Sequence, residues 1–242
     1  MSGQVNEIKN DLKDERCCDF DYVLDQIKGL TWLPWIGNDY PKAQRKILVL
    51  GESHYCYNNH TPADIEQNRE DTREVVADYA ERGQDAGNQW KTYEPLETVL
   101  AATVLKNRTR LQIWSEIAYM NIIQKCMSDK KQRPHWELFL AGWKSVLQVI
   151  YAIKPDICIC FSTDKGKNRN NFNRLEEFRD SLNFSYSIVK AGDTGEKISG
   201  ANVATPGKIT FEKMEVPVIF VHHASRIKRG LPQWVNVINQ YV

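Results

Sequence analysis

Three short, uninterrupted apolar runs constrain this chain more than any other feature: Lys46-Ile-Leu-Val-Leu-Gly51, Asp156-Ile-Cys-Ile-Cys-Phe161 and Val216–His222. A strand with one solvated face alternates apolar and polar side chains, whereas a strand covered on both faces does not. The runs therefore read as parallel strands buried beneath helices on each side. Ile117–Ile123 is a fourth candidate, carrying Asn121 inside an otherwise apolar run.

Helical spacing separates these runs. The clearest helix spans 134–153, where Trp136, Phe139, Leu140, Trp143, Val146, Leu147 and Ile150 form one stripe between Pro134 and Pro155. Helices are also expected within 5–28, 63–82, 95–106, 172–182 and 231–241, with a loop at 83–89. Trp32-Leu-Pro-Trp35-Ile-Gly37 cannot be regular helix, and 184–190 should pair with 208–213 as an irregular extension. Strands alternating with helices imply a three-layer α/β/α fold around a mostly parallel, four-stranded sheet. One domain is expected over 1–242, with a helical extension at 1–45 and the core at 46–242.

At 242 residues, 42% hydrophobic and 26% charged, the chain has the balance of a globular protein. No run reaches the ~18 apolar residues of a membrane span. Met1–Arg16 is polar and acidic, unlike a secretory or transit segment, so a cytoplasmic protein without a membrane partner is expected. None of the six cysteines forms a Cys-x-x-Cys pair, which argues against zinc ribbons and redox motifs of that kind. Cys158 and Cys160 fall in a buried strand and read as small hydrophobes, and disulfides are not expected. Charge is unevenly spread: residues 1–100 hold 19 acidic and 11 basic side chains, and residues 101–242 hold 12 and 21. Such a split hints at nucleic-acid contact through the basic half, although any single basic cluster is as readily a solvated face.

In a doubly wound sheet, ligands bind beyond the carboxyl ends of the strands. The informative segments are therefore Gly51-Glu-Ser-His-Tyr55, Asn121, Ser162-Thr-Asp-Lys165 and His222-His-Ala-Ser-Arg226. Gly51-Glu52-Ser53-His54-Tyr55 can be set against the esterase elbow Gly-x-Ser-x-Gly, with Ser53 as nucleophile. Tyr55 stands where that elbow needs its last glycine, and a loop rather than a helix follows. The adjacent His222 and His223 with His54 could alternatively bind a metal, but no obvious further ligand accompanies them and no metal or other cofactor is expected.

Taken in order, these segments resemble the uracil-DNA glycosylase superfamily over about residues 46–242. Members carry Gly-Gln-Asp-Pro-Tyr, Gly-Glu-Ala-Pro-Gly or a related segment after the first strand, matched here by Gly51–Tyr55. A His-Pro-Ser or Asn-Pro-Ser motif follows their last strand, matched by His223-Ala224-Ser225. Asn121 matches the pocket asparagine, and Gln89–Leu96 the segment that supplies a stacking aromatic. Ser53 departs from the Asp or Asn that positions water, and His54 and Ala224 replace the two motif prolines.

The resemblance implies a monomeric DNA glycosylase that extrudes a deaminated or modified base and hydrolyses its glycosidic bond. Glu52, Ser53 or His54 would position water, with Glu52 and His54 better bases than a hydroxyl. His223, or His222 one residue earlier, would donate to the departing base. Gly51, Tyr55, Trp90, Tyr93 and Asn121 would line the pocket, with Trp90 or Tyr93 stacking on the base and Asn121 reading its edge. Ser225, Arg226, Lys228 and Lys165 would hold phosphates. A nucleic-acid or nucleotide-binding protein that does not cut is the alternative on the same fold, and a serine hydrolase using Ser53 is a third.

Overall fold

Apolar, β-branched residues favour the pleated strand where both faces are covered, and the four runs form the centre of the sheet. The computed structural model describes residues 16–56, 60–87, 90–128, 134–162, 167–191, 196–199, 202–222 and 231–240. In chain order the elements are α1 (Asp21–Leu24), β1 (Trp35–Ile36), β2 (Ile47–Gly51), β3 (His54–Tyr55), α2 (Pro62–Gln67), α3 (Asp71–Arg82), α4 (Trp90–Ala102) and α5 (Arg110–Glu116). Next come β4 (Ile117–Asn121), β5 (Cys126–Met127), α6 (Trp136–Ile153), β6 (Ile157–Ser162), α7 (Lys167–Phe172), β7 (Tyr186–Val189), β8 (Glu196–Ser199), β9 (Asn202–Phe211), β10 (Met214–His222) and α8 (Leu231–Ile238).

The main sheet runs β1-β4-β2-β6-β10-β9-β7, with β8 paired to β9. Its four central strands, β4-β2-β6-β10, are mutually parallel. The expectation of four strands is therefore corrected to seven along this path. The additions are antiparallel. Two-residue β1 closes one edge, where Trp35 pairs with Tyr119. On the other side β10 turns back into β9, and β7 pairs with β9 with Ile188 opposite Ile209, the expected 184–190/208–213 pairing.

Parallel partners share a face, so alternate residues divide between two cores. Leu48, Leu50, Ala118, Met120, Cys158, Cys160, Val218 and Phe220 lie under Phe139, Trp143, Val146, Leu147 and Ile150 of α6. The other face, with Val49, Tyr119, Ile159, Phe161, Ile219 and Val221, is covered by Val76 and Tyr79 of α3, Leu96 and Val99 of α4, and Trp114 of α5. Burial pushes the Cys158 thiol well above its ordinary range, as expected of a cysteine used as a hydrophobe.

Several expected boundaries move. The helix expected at 63–82 is two, because Asn68 adopts an extended conformation after α2. Helix α4 starts at Trp90 and encloses Pro95, ending at Ala102 rather than 106. Helix α5 was not expected, although Thr109 and Gln112 form a reciprocal capping box at its start. Within 5–28 only α1 is α-helical among the described residues, and 172–182 divides between α7 and a 3₁₀ segment, Leu175–Ser181. Among the described residues, no helix is long and apolar enough to cross a membrane.

Candidate functional site at the strand ends

Chain order and spatial order reverse direction between β2 and β6: the chain crosses from β2 to β4 on one side, then returns to place β6 on the other. Such a switch point opens a crevice beyond the carboxyl ends of the two strands. Gly51 ends β2 and Ser162 ends β6. Across the neighbouring ladders, Gly51 pairs with Asn121 and Ser162 with His222. The ends of all four parallel strands thus form one edge.

Gly51 is required there by close packing. A Cβ at this position would lie 2.2 Å from Asn121 Oδ1 and 2.4 Å from the Tyr119 hydroxyl. These two groups bond to each other over the glycine, the Tyr119 hydroxyl donating to Asn121 Oδ1 at 3.0 Å. Tyr93 stands edge-on to Tyr119, ring centroids 5.3 Å apart. Burial, and secondarily the neighbouring Tyr119, pushes the Tyr93 phenol far above its ordinary range. Tyr93 also contacts Tyr79 and Trp114 and is only 6% exposed. It packs behind Tyr119 and is not the open stacking platform that the sequence suggested.

Beyond Gly51 the chain stays extended instead of entering a helix. Ile122 N–H donates to the Gly51 carbonyl at 3.0 Å and Ile123 N–H to the Glu52 carbonyl at 2.9 Å. β3 then pairs in parallel with β5, His54 opposite Cys126 and Tyr55 opposite Met127. The two strand ends are thus prolonged side by side. Gln124 secures the prolongation, donating to the Asn121 carbonyl and accepting from the backbone N–H groups of Thr31 and Trp32. Its role was not apparent from sequence, because Thr31 and Trp32, which it ties to the strand end, lie more than 90 residues away.

The three water-positioning candidates have distinct surroundings. Glu52 is buried at the strand end, 7% exposed. The Ser53 hydroxyl is buried and lacks a hydrogen-bond partner among the described residues. His54 is turned toward the start of α3, with Nε2 3.2 Å from Thr72 Oγ1 and Nδ1 3.3 Å from Asp71 Oδ2. Trp32 stacks on its ring at 3.9 Å between centroids. Nε2 has a hydrogen-bond partner in Thr72, Nδ1 lies within ion-pair distance of Asp71 and Trp32 covers one face, so His54 bridges the motif and α3.

No family model matches the chain, and no curated protein matches it.

Tyr55 is half-buried beside Met127. Trp90 opens α4 and His222 closes β10, each placed by its backbone. His223, Ser225, Arg226, Lys228 and Lys165 lie outside the described residues. Among the described residues no group of three or more His, Cys, Asp and Glu side chains could hold a metal ion. A surface hollow of about 520 Å³, bordered by Gln44, Arg45, Thr103 and Asp156, lies at the opposite, amino-terminal ends of β2 and β6. Its position excludes it from the chemistry of the strand-end motifs.

Proposed function

We propose that this protein is a monofunctional DNA glycosylase of the uracil-DNA glycosylase kind, acting on a base flipped into the crevice beyond β2 and β6. One observation carries the reading: the segments that resemble the family's motifs follow strands whose ends share one edge. Gly51 pairs with Asn121 there, and His222 with Ser162. The basic composition of residues 101–242 adds to it, since phosphate neutralisation dominates affinity for DNA.

In this reading Asn121, packed over Gly51, bonds the edge of the extruded base. Cleavage lengthens the glycosidic bond, leaving positive charge on the sugar and negative charge on the base. His223 donates a hydrogen bond to that base, and Glu52 orients the attacking water. With His54 held by Asp71 and Thr72, Glu52 is the base among the motif-one residues. Ser225, Arg226, Lys228 and Lys165 grip phosphates, and Trp90 stacks on the base.

The test is incubation with oligonucleotides bearing uracil, hypoxanthine, xanthine or a 5-substituted pyrimidine, followed by detection of abasic sites. Turnover on one of them, lowered on the order of 100-fold or more by Glu52→Gln or His223→Ala, is expected. No abasic product on any substrate at high enzyme concentration refutes the proposal. The confinement of His54 favours one second reading, a nucleic-acid-binding protein that does not cleave. Gel shift without turnover would establish it. A serine hydrolase draws no support from this geometry: His54 is turned to α3, and β3 rather than a helix follows Ser53.

A further inference from the structure

The extension of β2 and β4 beyond the site brings together two cysteines that are far apart in the chain. Cys56 follows β3, with its N–H bonded to the Met127 carbonyl at 3.1 Å, and Cys126 opens β5. Their sulfurs are 3.2 Å apart. Neither cysteine belongs to a Cys-x-x-Cys motif. Cys126 is 4% exposed in a small cluster with Trp32 and Ile65, and its N–H donates to Glu66 at 2.9 Å. Cys56 is the half-buried member at the edge of that cluster.

We propose that Cys56 and Cys126 form a reversible dithiol–disulfide modification site, with Cys56 meeting the oxidant and Cys126 resolving the product. A disulfide sulfur pair sits at about 2.05 Å, so the two atoms need to close by only about 1 Å. The co-reactant is a low-molecular-weight disulfide such as oxidised glutathione. The Cys56 thiolate attacks one of its sulfurs, that S–S bond breaks, and one glutathione thiolate leaves and takes up a proton. Cys126 Sγ then attacks Cys56 Sγ, forming the protein disulfide and expelling the second glutathione, which takes the proton that Cys126 gives up. Two protein thiols are oxidised and one small disulfide is reduced to two thiols.

The order of attack follows from burial, which together with the adjacent Cys56 pushes the Cys126 thiol up to about 12. A protonated, enclosed thiol reacts poorly with a dissolved oxidant, but it touches the sulfur it must attack. The bond would tie β3 to β5, hence the prolongation carrying Glu52 to the one carrying Asn121, across a 70-residue separation.

The full-length protein, treated with oxidised glutathione, alkylated and digested without reductant, tests this by peptide mass mapping. The Cys56 and Cys126 peptides are expected to be joined, two hydrogens lighter than their sum, and both thiols should return with dithiothreitol. Cys126→Ser should stop the reaction with Cys56 held as a glutathione mixed disulfide, and Cys56→Ser should leave Cys126 reduced. Exposed Cys18 is an internal control for reagent access. Wild-type protein that accumulates glutathione on Cys56 beside a reduced Cys126, or that reacts at Cys18 alone, overturns the proposal. The wild-type map decides the matter even if a serine variant fails to fold.

Discussion

Gly51→Ala tests the crowded strand end most directly. The added methyl would lie 2.2 Å from Asn121 Oδ1 and 2.4 Å from the Tyr119 hydroxyl, about 1 Å inside ordinary contact. Both obstructing atoms end side chains, but neither side chain is free to swing. Tyr119 is held edge-on by Tyr93 and Trp114, and Asn121 is 7% exposed. Overpacking of this kind costs roughly 1–3 kcal/mol. Separating the pair also sacrifices their 3.0 Å hydrogen bond, and a buried polar group left without a partner costs roughly 1–3 kcal/mol. Alanine restricts the unfolded chain and returns about 0.4–1 kcal/mol, because Gly51 is not among the residues with positive φ. The expected net loss is about 1–5 kcal/mol, read as a lower urea midpoint with an unchanged slope. Removing the obstruction with Asn121→Ala and Tyr119→Phe should recover at least about 1 kcal/mol as coupling in a mutant cycle. A Gly51→Ala loss below about 0.5 kcal/mol, or strict additivity with the two relieving substitutions, refutes the steric argument.

Other consequences follow from the surrounding contacts. His54→Ala removes the ring between Trp32 and the Asp71/Thr72 pair and should cost about 2–4 kcal/mol in urea denaturation. An unchanged midpoint accompanied by lost turnover would instead return His54 to a catalytic role. Arg73 is 1% exposed, donates to the Pro34 carbonyl at 2.9 Å and forms ion pairs with Asp21 and Glu70. Arg73→Ala should cost about 3 kcal/mol, and Arg73→Lys should recover less than half, since an ammonium cannot reproduce the guanidinium fork; equal stability of the lysine variant would contradict this. Burial raises the Glu97 carboxyl above its ordinary 4.5, with the Tyr79 hydroxyl partly opposing the shift. A raised folded-state value favours folding below the unfolded value and loses that benefit as pH rises through the folded one. Glu97→Gln should therefore gain stability over wild type at neutral pH, and the gain should vanish as pH falls below 4.5 in denaturation at each pH; a pH-independent difference would refute the assignment.

Periodicity, a property of neighbouring residues, was enough to locate the four parallel strands and the α6 stripe. It also put Gly51, Asn121 and His222 near strand ends, because an apolar run broken by glycine or a polar side chain marks where a strand leaves the core. The edge strands were not legible in the same way. Trp35–Ile36 is a strand only because Tyr119 and Ala118 lie beside it, and no two-residue pattern can announce a partner more than 80 residues away. Tyr93 illustrates the same limit: its aromatic ring suited a stacking platform, but the packing of three helices against Tyr119 buried it.

By itself the sequence determined the class of fold and the edge of the sheet on which polar chemistry would gather, since both follow from local spacing and the alternation of strands with helices. Tertiary structure alone decided what each side chain at that edge does. It turned His54 onto Asp71 and Thr72, left the Ser53 hydroxyl without a partner among the described residues, and set Cys56 against Cys126. The physical reason is range: backbone preference and hydrophobic period act over a few residues, while hydrogen bonds, steric exclusion and sulfur contact depend on atoms that only the completed fold brings within about 4 Å.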